Sequence, residues 1–295
     1  MLGWLIVNGF LGSNKFNKLY SYLQNSANEY GITLQIKSGN ELVGELSSGF
    51  ENLPDFALFW DKDVYLAKRL EESGVRLFNS ARAVEICDNK ILTALTLNGK
   101  VKTPKTIIAP KTFERVNYND KNFLKKSTEI LGFPLIIKEA YGSFGHQVYL
   151  ANNYVEAEKI VDGLGYKDFL MQEFISSSYG KDVRVNVVGG KVVSSMLRYN
   201  DNDFRSNISS GGKMKQITLT PAQEELAVKA CKIIGLDFAG VDILFGENDT
   251  PILCEVNSNP HFKSSLVCTG VDMSKEIMKY IKGLIKWKAY LYTIK

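Results

Sequence analysis

The chain changes its pattern of apolar residues near residue 86, and this change constrains the fold more than any other feature. Before it, short apolar segments alternate with helical periodicity, and Gly31 and Gly74 follow the two helical segments as natural helix ends. After it, apolar segments come in pairs joined by short turns, as at Gly189-Gly190, where a two-residue hairpin loop is favoured. We therefore predict an α/β domain with a parallel sheet over residues 1–86, followed by an α+β region over residues 87–295.

Composition restricts the class of protein. With 295 residues, of which 45% are hydrophobic and 23% charged, the chain is long enough for two or three domains with cores. A net charge of +4 suits an anionic ligand such as a nucleotide but does not indicate nucleic-acid binding. Four cysteines without a C-x-x-C pair, together with two histidines, argue against a zinc site or a disulfide framework.

Neither end of the chain predicts a membrane protein. The apolar start, residues 1–7, resembles a first strand, and no apolar run approaches the roughly 20 residues that span a bilayer. The basic segment 275–294 is interpreted as a packed helix with a solvated lysine face rather than a helix that binds a membrane surface or an anionic partner. We expect a cytoplasmic protein without a membrane or nucleic-acid partner, and the sequence leaves homo-oligomerisation open.

The sequence of the last predicted hairpin places oxygen ligands on neighbouring strands. If Phe245 pairs with Thr250, Asp242 lies diagonal to Glu255 on one face of the sheet, and Asn257 shares that face. Hard oxygen donors with open positions suit Mg²⁺ that carries substrate phosphates. The alternative is that these are solvated or salt-bridged strand residues.

A glycine-containing loop follows an apolar strand that ends with Lys138. Gly142, Ser143 and Gly145 can bring backbone N–H groups to phosphates, and the lysine supplies a positive charge. The spacing differs from that of a Walker A loop. An ordinary hairpin is the alternative.

Two further segments carry candidate binding groups. The apolar strand that ends in Gln172-Glu173-Phe174-Ile175 could hold an adenine through backbone hydrogen bonds and stacking, or it is a plain core strand. Three arginines, Arg184, Arg198 and Arg205, flank the Gly189-Gly190 hairpin and the polar segment 199–215, for which no secondary structure is predicted. Their guanidinium groups suit carboxylates and phosphates, although a single arginine is more often a surface residue.

Taken in order, these motifs resemble the ATP-grasp fold, and the RimK-like amino-acid ligases in particular. The resemblance covers residues 88–259, and the preceding α/β domain fits the family's pre-ATP-grasp domain. It implies a lobe with the glycine-rich loop over residues 87–175 and a lobe with the metal site over residues 176–295.

The resemblance also assigns roles to residues. It implies that Asp242, Glu255 and Asn257 bind the metal. The implied nucleotide-binding residues are Lys90, Lys138, Gly142, Ser143, Gly145, Gln172, Glu173, Phe174, Ile175, Asp182, Arg205, Ser206 and Asn207.

The implied reaction is an ADP-forming ligation. A carboxylate attacks the γ-phosphate of ATP to give an acyl phosphate, and an amine then displaces phosphate to form an amide. Arg205 is expected to stabilise the transferring phosphoryl group, while Arg184 and Arg198 are catalytic candidates that would bind a substrate carboxylate. ATP and two Mg²⁺ ions, with Mn²⁺ as an alternative, are the expected cofactors.

Two departures from the family pattern leave the substrate open. Ser209-Ser210 stands where the family often has an arginine or histidine before paired glycines, and Pro260-His261-Phe262 stands where many members have Pro-Gly. Asn259 and His261 are therefore candidate substrate contacts. The product could be an amino acid joined to a peptide, a protein or a small carboxylate. The alternatives are a non-catalytic ATP-binding regulator, or an ATP-grasp ligase for dipeptides, thiol peptides or peptide cyclisation.

Overall fold

The computed structural model describes residues 1–143, 145–208 and 211–293, except for the side chains of residues 286–293. Its three sheets belong to successive parts of the chain. In the described part of the chain, no helix combines the length and the hydropathy needed to traverse a bilayer.

The first part of the chain forms a parallel sheet with the strand order β2-β1-β3-β4. Its elements are β1 (Leu2–Val7), α1 (Asn14–Glu29), β2 (Thr33–Ser38), β3 (Phe56–Trp60), α2 (Val64–Glu72) and β4 (Leu77–Phe78). The two central strands are almost wholly buried, which explains their uninterrupted apolar sequences. The predicted parallel sheet is confirmed.

Two helices connect this sheet to the next, where the sequence predicts one helix from Ser80 to Leu97. The structure has α3 (Ala81–Asp88) and α4 (Lys90–Leu97), so the single helix is wrong. Asn89 between them has an extended backbone, and its Oδ1 accepts hydrogen bonds from the next helix's first N–H groups. This break makes Lys90 the first residue of a helix.

The second sheet is antiparallel, with the order β5-β8-β6-β7. This part contains β5 (Thr106–Ile108), α5 (Asn122–Leu131), β6 (Leu135–Glu139), β7 (Val148–Ala151), α6 (Tyr154–Leu164) and β8 (Phe169–Glu173). One of its faces packs against α5 and α6 in a separate apolar core. The other face is therefore left for a ligand or for the rest of the chain.

The third sheet has the order β11-β10-β9-β12-β13 and is also antiparallel. Its elements are β9 (Lys181–Val188), β10 (Lys191–Tyr199), β11 (Lys213–Gln216), α7 (Pro221–Ile234), β12 (Phe238–Phe245), β13 (Pro251–Asn257), α8 (Lys263–Thr269) and α9 (Met273–Thr293). Gly189 and Gly190, at φ of 58° and 73°, make the predicted two-residue turn. The polar segment 199–215 contains the start of β11, so the expectation that it lacks secondary structure is partly wrong.

Asn79 joins the first domain to the third sheet. Its buried side chain donates to the carbonyl oxygens of Phe238 and Ser258, both at 2.9 Å, and accepts from the N–H groups of Asp237 and Phe238. Trp60 stacks on Phe238 with ring centroids 5.3 Å apart, in a core that the two parts share. The two regions therefore pack as one body.

The last helix, α9, packs against the first domain. It buries Ile277, Met278 and Ile281 and leaves Lys279 exposed, in agreement with the predicted packed helix. The side chains of Lys286 and Lys288 lie outside the described residues.

Candidate active site

One cavity of about 930 Å³ lies where the three sheets meet. Every candidate site residue from the sequence lines it. These residues are Lys90, Lys138, Gly142, Ser143, Gly145, Gln172, Glu173, Phe174, Ile175, Asp182, Arg184, Arg198, Arg205, Ser206, Asn207, Asp242, Glu255, Asn257, Asn259 and His261. The structure thus brings together side chains that are up to 171 positions apart in the chain.

The hairpin of β12 and β13 differs from the predicted register. Phe245 pairs with Pro251, not with Thr250, so the predicted pairing is wrong. A bulge then shifts the ladder by one residue, and Asp242 lies directly opposite Glu255 instead of diagonal to it. Such a bulge adds one unpaired residue to a strand and increases its local twist. Both carboxylates still share one face, which is the property that the site requires.

Asp242 belongs to a buried network of two acids and two arginines. Arg184 donates two hydrogen bonds to its carboxylate, and Arg198 Nη2 lies 3.0 Å from Oδ2. Arg198 also donates to Asp182, from Nε at 2.7 Å. Burial alone would raise the pKa of Asp242, but the two guanidinium groups outweigh it and the pKa is lowered. Asp242 is therefore salt-bridged and also lines the cavity, and its role as a metal ligand stays a prediction.

Glu255 and Asn257 extend the same face of the sheet. Asn257 pairs with Gly240 on β12, and its buried Nδ2 has no hydrogen-bond partner among the described residues. In that part of the chain, no group of three His, Cys, Asp or Glu residues could hold a metal. Two carboxylates and one amide nevertheless fit Mg²⁺, which binds through one or two carboxylates and completes its shell with water and phosphate oxygens.

Two lysines lie near this face. Lys138, on β6, has its Nζ 3.9 Å from the sulfur of Cys254 on β13. Lys90 Nζ donates to the carbonyl oxygen of Gly142 at 3.2 Å. Burial lowers the pKa of Lys90, an effect that Glu255 opposes and Lys138 reinforces. An anion in the cavity would therefore stabilise the charged form of Lys90.

The glycine-containing loop contacts the polar segment that follows β10. Arg205 Nη1 donates to the carbonyl oxygen of Gly145 at 3.0 Å and also pairs with Asp203. A Cβ on Gly145, which has a φ of 78°, would lie 2.9 Å from Asn207 Oδ1. Glycine is therefore required for this close approach. The candidate residues Arg205 and Asn207 are thus held against the loop, whereas Ser209 and Ser210 lie outside the described residues.

The end of β8 forms another wall of the cavity. Gln172 Nε2 donates to Thr106 Oγ1 at 2.9 Å, and the Glu173 carboxylate accepts from the N–H of Lys105 at 2.8 Å. The strand ends at Glu173, and the ring of Phe174 packs edge-on against Tyr179. The chain therefore leaves the sheet at the four residues expected to contact an adenine.

The sequence interpretation missed the part of the cavity formed by the first domain. Asp61 directly follows β3 and is only 7% exposed; Asn8 directly follows β1 and donates to Asp61 Oδ1 at 3.2 Å. Asn259 Nδ2 donates to the Asp61 carbonyl oxygen at 2.7 Å. Parallel strands carry binding residues at their carboxyl ends, so this rule would have identified both positions.

The pattern of a RimK-like ATP-grasp domain matches residues 87–281. Three relatives extend the comparison. The uncharacterized protein MG012 of Mycoplasma genitalium is 31% identical over 91% of this chain and 95% of its own length. Human N-acetylaspartylglutamate synthase A is 32% identical over 76% of this chain and 57% of its own length. The probable alpha-L-glutamate ligase of Methanococcoides burtonii is 36% identical over 73% of this chain and 70% of its own length.

Solved structures share the fold at low sequence identity. A RimK domain ATP-grasp protein from Sphaerobacter thermophilus has a TM-score of 0.74 at 18% identity, covering 95% of this chain and 99% of its own. The ATP-grasp ligase PsnB, solved with Mg and ADP, has a TM-score of 0.70 at 15% identity, covering 96% and 97%. ATP-dependent formation of an amide bond, the class of reaction expected from the ordered motifs, is confirmed by the family match and the named relatives. The chain belongs to the RimK-like ATP-grasp family of ligases.

Proposed function

We propose that this ligase joins a carboxylate to the amino group of an amino acid through an acyl-phosphate intermediate. The observation that carries the proposal is the meeting of Asp242, Glu255 and Asn257 with Lys90 and Lys138 in one cavity. Oxygen ligands for a metal and positive charges for phosphates, placed together, suit a triphosphate.

The nucleotide would lie between the two lobes of residues 87–175 and 176–295. The end of β8, residues 172–175, would contact the adenine, and Asp182 would contact the nucleotide. Lys90 and Lys138 would hold the phosphates beneath the loop that contains Gly145. The contact between that loop and Arg205 supports a closed arrangement that excludes water from a reactive acyl phosphate.

Asp242, Glu255 and Asn257 would hold magnesium, as two ions or with Mn²⁺ in its place. When bound, the metal would neutralise charge on the β- and γ-phosphates. Because Asp242 is already balanced by Arg184 and Arg198, Glu255 would supply most of the uncompensated negative charge for the metal. No ion pair to Glu255 occurs among the residues that the structure describes.

Three arginines would serve the chemical steps. Arg205 lies beside the loop and would stabilise the γ-phosphoryl group while an oxygen of the substrate carboxylate attacks it. ADP leaves, and the amine nitrogen then attacks the acyl carbon as the C–O bond to phosphate breaks. Arg184 and Arg198 would orient the substrate carboxylate from the same face of the sheet, provided that either arginine exchanges Asp242 for it.

The names of the relatives support an amino acid as the amine substrate. N-acetylaspartylglutamate synthase A and the probable alpha-L-glutamate ligase both carry glutamate in their names. This chain spans only 57% of the first of these proteins, so its carboxylate partner is a separate question. Glutamate is the first amino acid to test.

The test is carboxylate-dependent release of ADP. The purified protein is incubated with Mg·ATP and a panel of small carboxylates, peptides and amino acids, and with hydroxylamine as a trap for acyl phosphate. Hydroxamate formation with at least one carboxylate is expected. Binding of Mg·ATP without ADP release for any member would contradict the proposal and favour a non-catalytic ATP-binding protein. Products from dipeptide, thiol-peptide or cyclising substrates would identify another ligase specificity.

A further inference from the structure

The end of the cavity next to the first domain carries charged groups that the nucleotide and metal do not use. They are Asp61 and, near His261, the ammonium groups of Lys15 and Lys263. This region lies beyond Asn257 along the chain, because Asn259 connects the end of β13 to Asp61. It is therefore adjacent to the place where the acyl phosphate would form.

Asp61 provides the negative pole of this region. Asn8 Nδ2 and the N–H of Lys62 both donate to its Oδ1, at 3.2 and 2.7 Å, and the N–H of Asp63 also favours its charged form. The ammonium group of the neighbouring Lys62 pairs with Asp88. Burial raises the pKa of Asp61, so a cation that replaced water there would be stabilised by an uncompensated charge.

His261 marks the positive pole. Burial, together with Lys15, Lys263 and Arg184, lowers the pKa of His261 to about 4, so the ring is neutral at pH 7. Its Nε2 is buried and has no hydrogen-bond partner in the described part of the chain. An unpaired ring nitrogen in a field of three cations suits an anionic oxygen, to which the neutral ring can donate.

Aromatic rings connect the two poles. Phe16 lies between Tyr20 and His261, with ring centroids 6.5 and 6.4 Å away. Tyr20 is close enough to Asp61 for the carboxylate, after burial, to raise the pKa of its hydroxyl group. The rings of Tyr20 and Phe16 thus connect Asp61 to His261 and its neighbouring lysines.

We propose that this end of the cavity binds the amine substrate as an α-amino acid, with its ammonium group on Asp61 and its carboxylate beside His261 and Lys263. The inference rests on the proposed ligase reaction and identifies the binding site of its amine substrate. An amino acid carries a positive group for the acid and a negative group for the cations, whereas a simple alkyl amine would leave the cations without a partner.

The same placement gives Asp61 a chemical role. An ammonium group must lose a proton before its nitrogen can attack, and Asp61 Oδ2 would accept that proton. The nitrogen lone pair then forms the C–N bond, the C–O bond to phosphate breaks, and phosphate departs with the electron pair. The second proton lost from nitrogen leaves with the phosphate, and Asp61 returns its own to water.

The experiment separates amine binding from formation of the acyl phosphate. Wild type and Asp61→Asn are assayed with the most active carboxylate of the panel, once with L-glutamate and once with hydroxylamine, which is uncharged at neutral pH. We expect the KM for glutamate to rise about 10- to 100-fold, the usual effect of losing a charged hydrogen bond. Hydroxamate formation should fall much less than amide formation with glutamate, because the small uncharged nucleophile brings no ammonium group for the acid to bind.

A second variant tests the other pole. Lys263 is only partly buried, so Lys263→Met is expected to fold even if Asp61→Asn does not. We expect it to reduce the preference for L-glutamate over glutamic acid α-amide by about tenfold, because the amide lacks the charge that Lys263 recognises. Glu72→Gln, at an exposed position on α2, is the control and should leave both ratios unchanged.

The outcomes have distinct meanings. A folded Asp61→Asn variant that loses hydroxamate and amide formation equally, or neither, would overturn the amine subsite. An unchanged preference in Lys263→Met would overturn the zwitterion orientation. If the wild-type protein forms no hydroxamate with any carboxylate, the proposed ligase reaction is wrong. The amine subsite is then wrong as well, because there is no acyl phosphate for an amine to attack.

Discussion

Asp242 lies directly opposite Glu255 on the last two strands of the third sheet, but the two carboxylates have different partners. Arg184 holds Asp242 in a two-point ion pair, whereas in the described residues no cation pairs with Glu255. The bulge in the hairpin puts a neutralised acid next to a negatively charged one. A cation with additional phosphate ligands would therefore gain most from Glu255.

Removing Glu255 should abolish catalysis while the fold is kept. Glu255→Ala takes away the charge that we expect to hold the metal, at a cost of about 3 kcal/mol or more in transition-state stabilisation. The measurement is ADP release at saturating ATP, with the circular dichroism spectrum as a check of folding. Glu247→Ala, in the exposed turn of the same hairpin, is the control. Wild-type turnover in Glu255→Ala would refute the assignment.

Arg198 should contribute strongly to stability. It pairs with both Asp182 and Asp242, and its replacement by methionine would leave two buried acids with too little positive charge. Breaking a buried network of this kind typically costs about 3–5 kcal/mol. Chemical denaturation measures the free energy of unfolding. Lys213→Met, which removes an exposed ion pair to Asp201, should have no measurable effect; equal losses in the two variants would contradict the argument.

Gly145 should be needed for nucleotide binding. In Gly145→Ala the new Cβ would lie 2.9 Å from Asn207 Oδ1 and alanine would have to adopt a positive φ, so the packing of the loop against Asn207 and Arg205 must rearrange. We expect the KM for ATP to rise about tenfold, equivalent to about 1.4 kcal/mol. Gly99→Ala has a similar φ of 69° but open space around the Cβ, and it controls for backbone strain alone. An equal rise of the KM for ATP in Gly99→Ala would show that the loop contact is not the cause of the weaker binding.

Binding of ATP should be accompanied by uptake of a proton at a pH below the ordinary titration range of lysine. Burial lowers the pKa of Lys90, so the side chain begins to lose its proton at a lower pH than an ordinary lysine does. Phosphates favour the charged form and raise the pKa again, so binding takes up a proton between the two values, and the KM for ATP rises with pH across that window. Calorimetry in buffers of different ionisation enthalpy measures the uptake. Lys90→Arg remains charged and should take up fewer protons when ATP binds. Equal proton uptake by the two proteins would show that Lys90 is not the group that binds the proton.

The sequence predicts the elements of this protein better than their junctions. Apolar runs such as Phe56–Trp60 and Phe238–Phe245 were located at their observed bounds because burial on both faces leaves a continuous signal. The break at Asn89 was missed because the helical periodicity continues across it. The hairpin register was missed because a bulge depends on the packing around Cys254, which strand periodicity does not encode.

The candidate site was predictable only where its residues fall within motifs. Lys138 and Glu255 stand in strand-and-loop patterns that have a chemical meaning in isolation. Asp61 does not, because its importance comes from the convergence of β1, β3 and the segment after β13. The ion pair of Asp242 with Arg184 likewise links strands whose pairing the sequence leaves undetermined.

Asn79 determines which part of this enzyme can move when the cavity opens. Because its amide fastens the first domain to the strand that begins with Phe238 and to the chain near Ser258, these regions cannot hinge apart without exposing several unpaired backbone groups. The β5-β8-β6-β7 sheet has its own core, so we expect any opening that admits a nucleotide to come from a movement of that sheet. The proposed amine site beside Asp61 would keep its structure during each opening, because it is formed by the parts of the chain that Asn79 holds together.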